Sequence, residues 1–284
     1  NNGLNANNIS KFMGIFNGTS NFILSKMTHE QTTFKDALEE AQRLGFAEAD
    51  PTDDVEGVDA ARKVVITSYL SFNQVIKLND VKSVGISDIT LADINAANSL
   101  NYKIKLIGKG TYENGYVNAS VEPTLIHKNH QLAAVENEYN AIYVIGDAVG
   151  DTMFYGKGAG SLATGSAVVS DLLNVALFFE SNLHTLPPHF ELKTEETKEM
   201  MDGAEPVVIQ EKSNYYIVIS NNNKSLEKVE YDIKKKLPFH KSLQLVERDQ
   251  DTYAIIVTGI ETSPEKVLNQ SGFNIKKVYP VEGV

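Results

Sequence analysis

Two hydrophobic periods divide this chain, and the points where one gives way to the other mark its predicted elements. Residues 9–16 (ISKFMGIF) are apolar enough for a strand buried on both faces. They run into Asn17-Gly18-Thr19-Ser20-Asn21, a polar turn with a Thr or Ser cap or a ligand-binding strand end, before a helical segment at 22–27. Thr33, with Asp36 three residues on, caps the next helix; Phe34, Ala37, Leu38, Ala41 and Leu44 form its stripe and Gly45 ends it. From Asp54, placed as an N-cap, Val55, Val58, Val65, Ile66, Tyr69 and Leu70 predict one apolar helix face ending near Phe72. Leu91, Ile94, Ala97 and Leu100 predict a further helix over 89–100.

The period then falls to two. Residues 104–110 and 116–126 read as strands around Asn114-Gly115, the strongest short hairpin signal, and 141–145 as another strand ending at Gly146-Asp147. Met153-Phe154-Tyr155 lead into Gly156-Lys157-Gly158-Ala159-Gly160 and a helix of small residues over 162–173. Those glycines allow a very close approach, by a ligand or by a packed backbone. Strands with helices between and around them predict an α+β domain, a mixed sheet covered on one face. After Ser181 the composition turns polar and proline-containing, so 183–206 reads as a linker between a domain at 1–182 and another at 207–284. In the latter, strands at 215–220, 243–247, 253–258 and 275–280 and helices at 226–235 and 263–270 come in the order βαββαβ, a ferredoxin-like module.

Composition narrows the function classes. With 284 residues, 42% hydrophobic and 22% charged, the chain has room for two globular domains. A net charge of −11 argues against non-specific nucleic-acid binding. The absence of cysteine removes disulfides, thiolate metal sites and cysteine nucleophiles, and fits a cytoplasmic location. No signal peptide and no apolar run long enough to span a membrane is present, so a soluble protein without a membrane partner is expected. The chain begins with Asn1, which leads us to expect a portion of a longer protein.

Candidate chemistry concentrates in 45–63, GFAEADPTDDVEGVDAARK, where eight ionisable side chains surround one proline and one interior glycine. Asp59 and Lys63 are four apart and share one side of a helix at the edge of its apolar face. This is either a surface ion pair worth a few tenths of a kcal/mol or a partly desolvated lysine suited to proton transfer.

Taken together, GIFNGTSNFIL (14–24), the whole 45–63 stretch and GDAVGDTMFYGKGAG (146–160) resemble the homoserine dehydrogenase family in order and spacing, over about residues 1–180. The resemblance implies reduction of L-aspartate 4-semialdehyde to L-homoserine with NADP or NAD, on the route to threonine and methionine. It makes Lys63 the proton donor, with Asp59 orienting that lysine or hydrogen-bonding the substrate hydroxyl. Glu48 and Asp54 become substrate-binding residues, Gly18 and Thr19 lie beside substrate, and Gly45 and Gly160 approach the cofactor. Phe46 stands where the family often has tyrosine. The resemblance places the Rossmann domain, and a monovalent-cation site in the full-length enzyme, outside this chain, and implies a homodimer or homotetramer. The C-terminal module resembles an ACT domain, with Asn221-Asn222-Asn223-Lys224-Ser225 replacing the usual effector loop. The alternative is a dimerisation scaffold carrying an amino-acid-binding regulatory module.

Overall fold

A computed structural model describes residues 3–180, 213–220, 224–237, 240–261, 263–269 and 273–283. The segment expected to be a linker, 183–206, and residues 221–223 of the expected effector loop lie outside the described residues. In chain order the elements are β1 (Ile9–Ile15), α1 (Gly18–Glu30), α2 (Phe34–Arg43), α3 (Thr52–Val55), α4 (Val58–Phe72), β2 (Lys82–Ser83), α5 (Leu91–Ser99), β3 (Tyr102–Glu113) and β4 (Tyr116–His127). They continue with β5 (Tyr139–Gly146), β6 (Gly150–Lys157), α6 (Ser161–Glu180), β7 (Ser213–Ser220), α7 (Leu226–Lys236), β8 (Ser242–Asp249), β9 (Thr252–Ile260), α8 (Pro264–Asn269) and β10 (Ile275–Glu282).

The strands form one mixed sheet in the order β6-β5-β1-β3-β4-β10-β7-β9-β8, with β2 paired to β4. The β3–β4 hairpin turns where sequence places it: Asn114 and Gly115 both take positive φ, 51° and 87°, as a tight two-residue hairpin requires. The C-terminal elements occur in the expected βαββαβ order, but they share the larger sheet instead of standing apart. Strand β10 pairs in parallel with β4 at Val281–Leu125 and Glu282–Ile126. Glu282 receives Lys11 at 2.9 Å and Lys109 at 2.7 Å. One apolar cluster runs from Phe12, Phe16 and Ile23 through Leu125 to Val218, Ala254 and Ile256, and a second, including Ile217, Val229, Ile233 and Leu268, belongs to the C-terminal elements alone.

The junction also carries a buried ionic cluster. Asp93, fully buried in the first turn of α5, accepts from Arg248 at 2.8 Å and Lys277 at 2.7 Å. These two cations of the C-terminal elements outweigh the effect of burial and hold the Asp93 carboxyl below the usual carboxylate range.

Three expectations are corrected. The helix expected from Asp54 is broken into α3 and α4, and Gly57, at φ 78°, is the N-cap of α4 in place of Asp54. A side chain at Gly57 would stand 3.0 Å from Val121 Cγ1 and 3.2 Å from Ser83 Oγ, so the crowding and the positive φ together favour glycine at that bend. The buried face of α4 is Ala60, Ala61, Val64, Ser68 and Phe72, while Ile66 and Leu70 of the expected stripe are exposed. Small side chains win because α4 lies close against the sheet: a Cβ on Gly108 of β3 would come within 2.6 Å of Val64 Cγ2. Finally, α1 begins at Gly18, with Asn17 as its cap in place of Thr19 or Ser20.

Candidate active site

Strand β1 ends where α1 begins, and the two residues at that junction organise the site. Asn17 is 5% exposed, and its Oδ1 caps α1 by accepting from Ser20 N at 2.8 Å. Its Nδ2 donates to Asp54 Oδ1 at 2.7 Å and to Asp59 Oδ2 at 3.0 Å. Asp59 Oδ2 also receives Lys63 Nζ at 2.6 Å, and the same ammonium donates to the Phe16 carbonyl at 2.9 Å. Phe16 and Asn17 are adjacent, so the contacts close a ring from strand end to carboxylate to lysine and back.

Lys63 keeps 44% of its side-chain surface and Asp59 keeps 30%. Lys63 is therefore partly buried, as the sequence suggested, and is held by a carboxylate and a backbone carbonyl. Asp54 is the acid tuned by burial. Desolvation pushes its carboxyl up and the Asp59 and Asp53 charges add to this, against the Asn17 N–H and Lys63.

A cavity of about 900 Å³ opens over this ring. Every residue singled out from sequence lines it: Lys63, Asp59, Glu48, Asp54, Gly18, Thr19, Gly45 and Gly160. Their contacts separate their parts. Thr19 is largely buried, and its hydroxyl is committed to the Phe46 carbonyl at 2.7 Å, which fixes the 45–50 loop to α1. Phe46 packs its ring 4.9 Å from Phe22. Gln42 of α2 donates to the Glu48 carbonyl at 3.0 Å and leaves the exposed Glu48 carboxylate on the rim. Gly18 is tight, because a Cβ there would lie 2.6 Å from the Glu138 carbonyl. Gly45 and Gly160 have positive φ, 78° and 106°, and open space where a side chain would stand.

Sequence reasoning missed Asn17, Glu138, Asn140 and Lys157, which also line the cavity. Asn17 had a local signal as a good capping residue directly before the helix. Lys157 lies in the glycine-rich 156–160 segment already singled out, whereas Glu138 and Asn140 come from a distant stretch and had no signal. Lys157 pairs with Glu138 at 3.2 Å. Asn140 donates to the Phe16 carbonyl at 3.2 Å, while its buried Oδ1 has no hydrogen-bond partner. Gly158 packs on the Asn140 amide so closely that a Cβ would collide with Nδ2. A second, more apolar cavity of about 390 Å³ adjoins Lys63 and Asn140, bounded by Ile66, Phe154 and Tyr155.

The wall that carries Glu138 and Asn140 is set from beneath. Asn21 Nδ2 donates to the carbonyls of Val135, Asn137 and Tyr139 at 3.2, 2.9 and 3.1 Å. Lys105, 2% exposed, donates to Val135 O at 2.6 Å and Asn21 Oδ1 at 3.0 Å, and lies 3.2 Å from Glu136. Burial pulls the Lys105 ammonium down to about 8. Against its own burial, Glu136 is held down to about 2 by Lys105, Lys103 and Ser25. At neutral pH both are charged.

Among the described residues, no group of three or more His, Cys, Asp or Glu side chains could hold a metal ion, and no helix is long and apolar enough to cross a membrane.

Residues 1–173 match the family described as homoserine dehydrogenase, and residues 212–284 match the homoserine dehydrogenase C-terminal domain. A homoserine dehydrogenase of Bacillus subtilis (strain 168) is 54% identical over 173 residues, covering 61% of this chain and 40% of that protein. The crystal structure of the S. aureus homoserine dehydrogenase at pH 6.0 superposes with a TM-score of 0.85 at 71% identity, covering 99% of this chain and 67% of that one. A hyperthermophilic archaeal homoserine dehydrogenase mutant, solved in complex with NADPH, superposes with a TM-score of 0.52 at 28% identity, covering 62% of this chain and 50% of its own. The match thus spans well under half of the curated Bacillus relative's length.

Proposed function

This chain belongs to the homoserine dehydrogenase family, and on that premise we propose that it carries the substrate-binding and proton-transfer part of an NAD- or NADP-dependent enzyme interconverting L-aspartate 4-semialdehyde and L-homoserine. The observation that most supports this reading is the closed grip on Lys63 at the floor of a cavity rimmed by acids. In the reductive direction the Lys63 ammonium gives its proton to the carbonyl oxygen as that oxygen becomes an alkoxide. Asp59 holds the ammonium in place and recovers it in register after each turnover. Glu48 and Asp54 supply the negative charge that a substrate α-ammonium requires. When bound, the dinucleotide supplies hydride to the carbonyl carbon or takes it back.

The side facing Gly45 and Gly160 suits that cofactor, since both glycines leave open space for close backbone approach and the Asn140 acceptor nearby lacks a partner. We assign the dinucleotide-binding domain and the monovalent-cation site to the part of the relatives' length that the match does not span. A role on the route to threonine and methionine, in the cytoplasm, belongs to the same reading.

The C-terminal strand order β10-β7-β9-β8 with its two helices supports a ferredoxin-like, ACT-like module. Calorimetry with threonine and methionine tests whether it binds either. The exposed apolar side chains of α6, including Leu172, Leu173 and Leu177, support a homodimer or homotetramer. A monomer in sedimentation at micromolar concentration would contradict this. The catalytic reading is tested by following cofactor oxidation with aspartate semialdehyde in the full-length enzyme and in its Lys63→Ala variant. The variant is expected to lose turnover by about 10²- to 10⁴-fold; near-normal turnover would remove Lys63 from the mechanism.

A further inference from the structure

Asn17 does more than a helix cap needs to do. Capping uses its Oδ1 alone, and serine, threonine or aspartate would serve there equally well. Only an amide offers an acceptor on one atom and two N–H donors on the other. Both donors are spent on carboxylates with different assignments: Asp54 at 2.7 Å, which faces substrate, and Asp59 at 3.0 Å, which holds Lys63. Two carboxylates bonded to one nitrogen lie within roughly 5 Å of each other. At that distance in a partly buried place, like charges drive one of the pair to take a proton.

We propose that Asn17 is a positioning residue for the reaction: its amide holds the Asp54 and Asp59 carboxylates side by side and aims one at substrate and the other at Lys63. The inference rests on the catalytic reading above. The charges around the amide make the need plain. Asp53 and Asp54 approach from α3, and Asp59 and Lys63 from α4, where Arg62 already pairs with Asp53. Across the cavity stand Glu48 and the Lys157–Glu138 pair. Lys63 is the cation in contact with Asp59, so the second acid, Asp54, depends on the Asn17 N–H. The upward push on the Asp54 carboxyl by burial and by Asp59, opposed first by that N–H, agrees with this.

Two substitutions test it in the full-length enzyme. Asn17→Ser keeps a capping oxygen and removes both N–H donors. It is expected to leave the melting midpoint within a few degrees and to lower kcat/KM for aspartate semialdehyde by about 10- to 100-fold. The acidic limb of the pH profile should move up by about one pH unit, because one carboxylate now protonates more readily. Asn17→Asp also keeps the cap but adds a third carboxylate, and is expected to move that limb further. An unmoved limb in both variants overturns the proposal, as does a loss of activity that only parallels a loss of folded protein. Carboxyl ¹³C titration of Asp54 and Asp59 reads the same effect without turnover. The Asp54 carboxyl should titrate higher in Asn17→Ser, and an Asp54 titration identical in wild type and variant overturns the proposal whatever the activity. A wild-type enzyme that does not reduce aspartate semialdehyde would instead count against the catalytic reading.

Discussion

A sizeable share of the acid dependence of stability should trace to one side chain beneath the site. Glu136 accepts from Ser25 at 2.8 Å, lies 3.2 Å from Lys105 and also bonds Lys103, with 22% of its side chain exposed. Its carboxyl is lowered from an ordinary 4.5 to about 2, which corresponds to about 3 kcal/mol of folding free energy. A depressed carboxylate contributes fully above its unfolded value, so this stabilisation is present above pH 4.5 and drains away as pH falls toward 2. Lys105 acts in another window. Its ammonium is lowered to about 8, so the unfolded chain holds more protons between there and 10.5 and stability rises with pH over that range. Glu136 therefore acts in the acid arm, alongside Asp93 and Glu282, whose carboxyls are also held below the usual range by their cation partners against burial. Glu136→Gln strands the buried Lys105 charge and is expected to cost about 3–5 kcal/mol at pH 7. The gap from wild type should narrow steadily below pH 4.5, as wild-type Glu136 itself becomes neutral. Urea unfolding followed by far-ultraviolet circular dichroism at a series of pH values measures this, the chain having no tryptophan. A gap that stays constant from pH 7 to pH 3 would refute the electrostatic account and leave only a packing effect.

Other substitutions test the remaining contacts. Gly158→Ala drives a methyl group into the Asn140 amide, so it should raise KM or lower kcat at least several-fold while the melting point changes little; unaltered kinetics would show that this wall is free to move. Thr19→Val deletes the hydroxyl contact to the Phe46 carbonyl and is expected to cost about 1 kcal/mol in urea unfolding, with a higher KM as the Glu48 loop loosens. Asp93→Asn weakens the anion shared by Arg248 and Lys277 at the junction of the two sequence segments. A loss of about 3 kcal/mol is expected, and a loss below about 0.5 kcal/mol would mean the cluster only fills space.

What the sequence determined by itself is local. The Thr33 cap, the Gly45 stop, the Asn114-Gly115 hairpin and the C-terminal βαββαβ order all follow from residues within a few positions of one another. The 45–63 stretch also announced one contact of the candidate site, because Asp59 and Lys63 are one helical turn apart and meet as soon as α4 forms. Tertiary structure decided the rest. Which face of α4 is buried depended on how closely Gly108 lets the helix approach the sheet, and close approach favours alanine over the larger apolar side chains. The break at Gly57 depended on Val121 and Ser83. The site itself depends on partners 37 to 124 positions apart, from Asn17 with Asp54 to Phe16 with Asn140. No periodicity reaches that far. Those groups meet because β1 lies between β3 and β5, and the register of that sheet brings the end of β1, the start of β5 and the foot of α4 to one place.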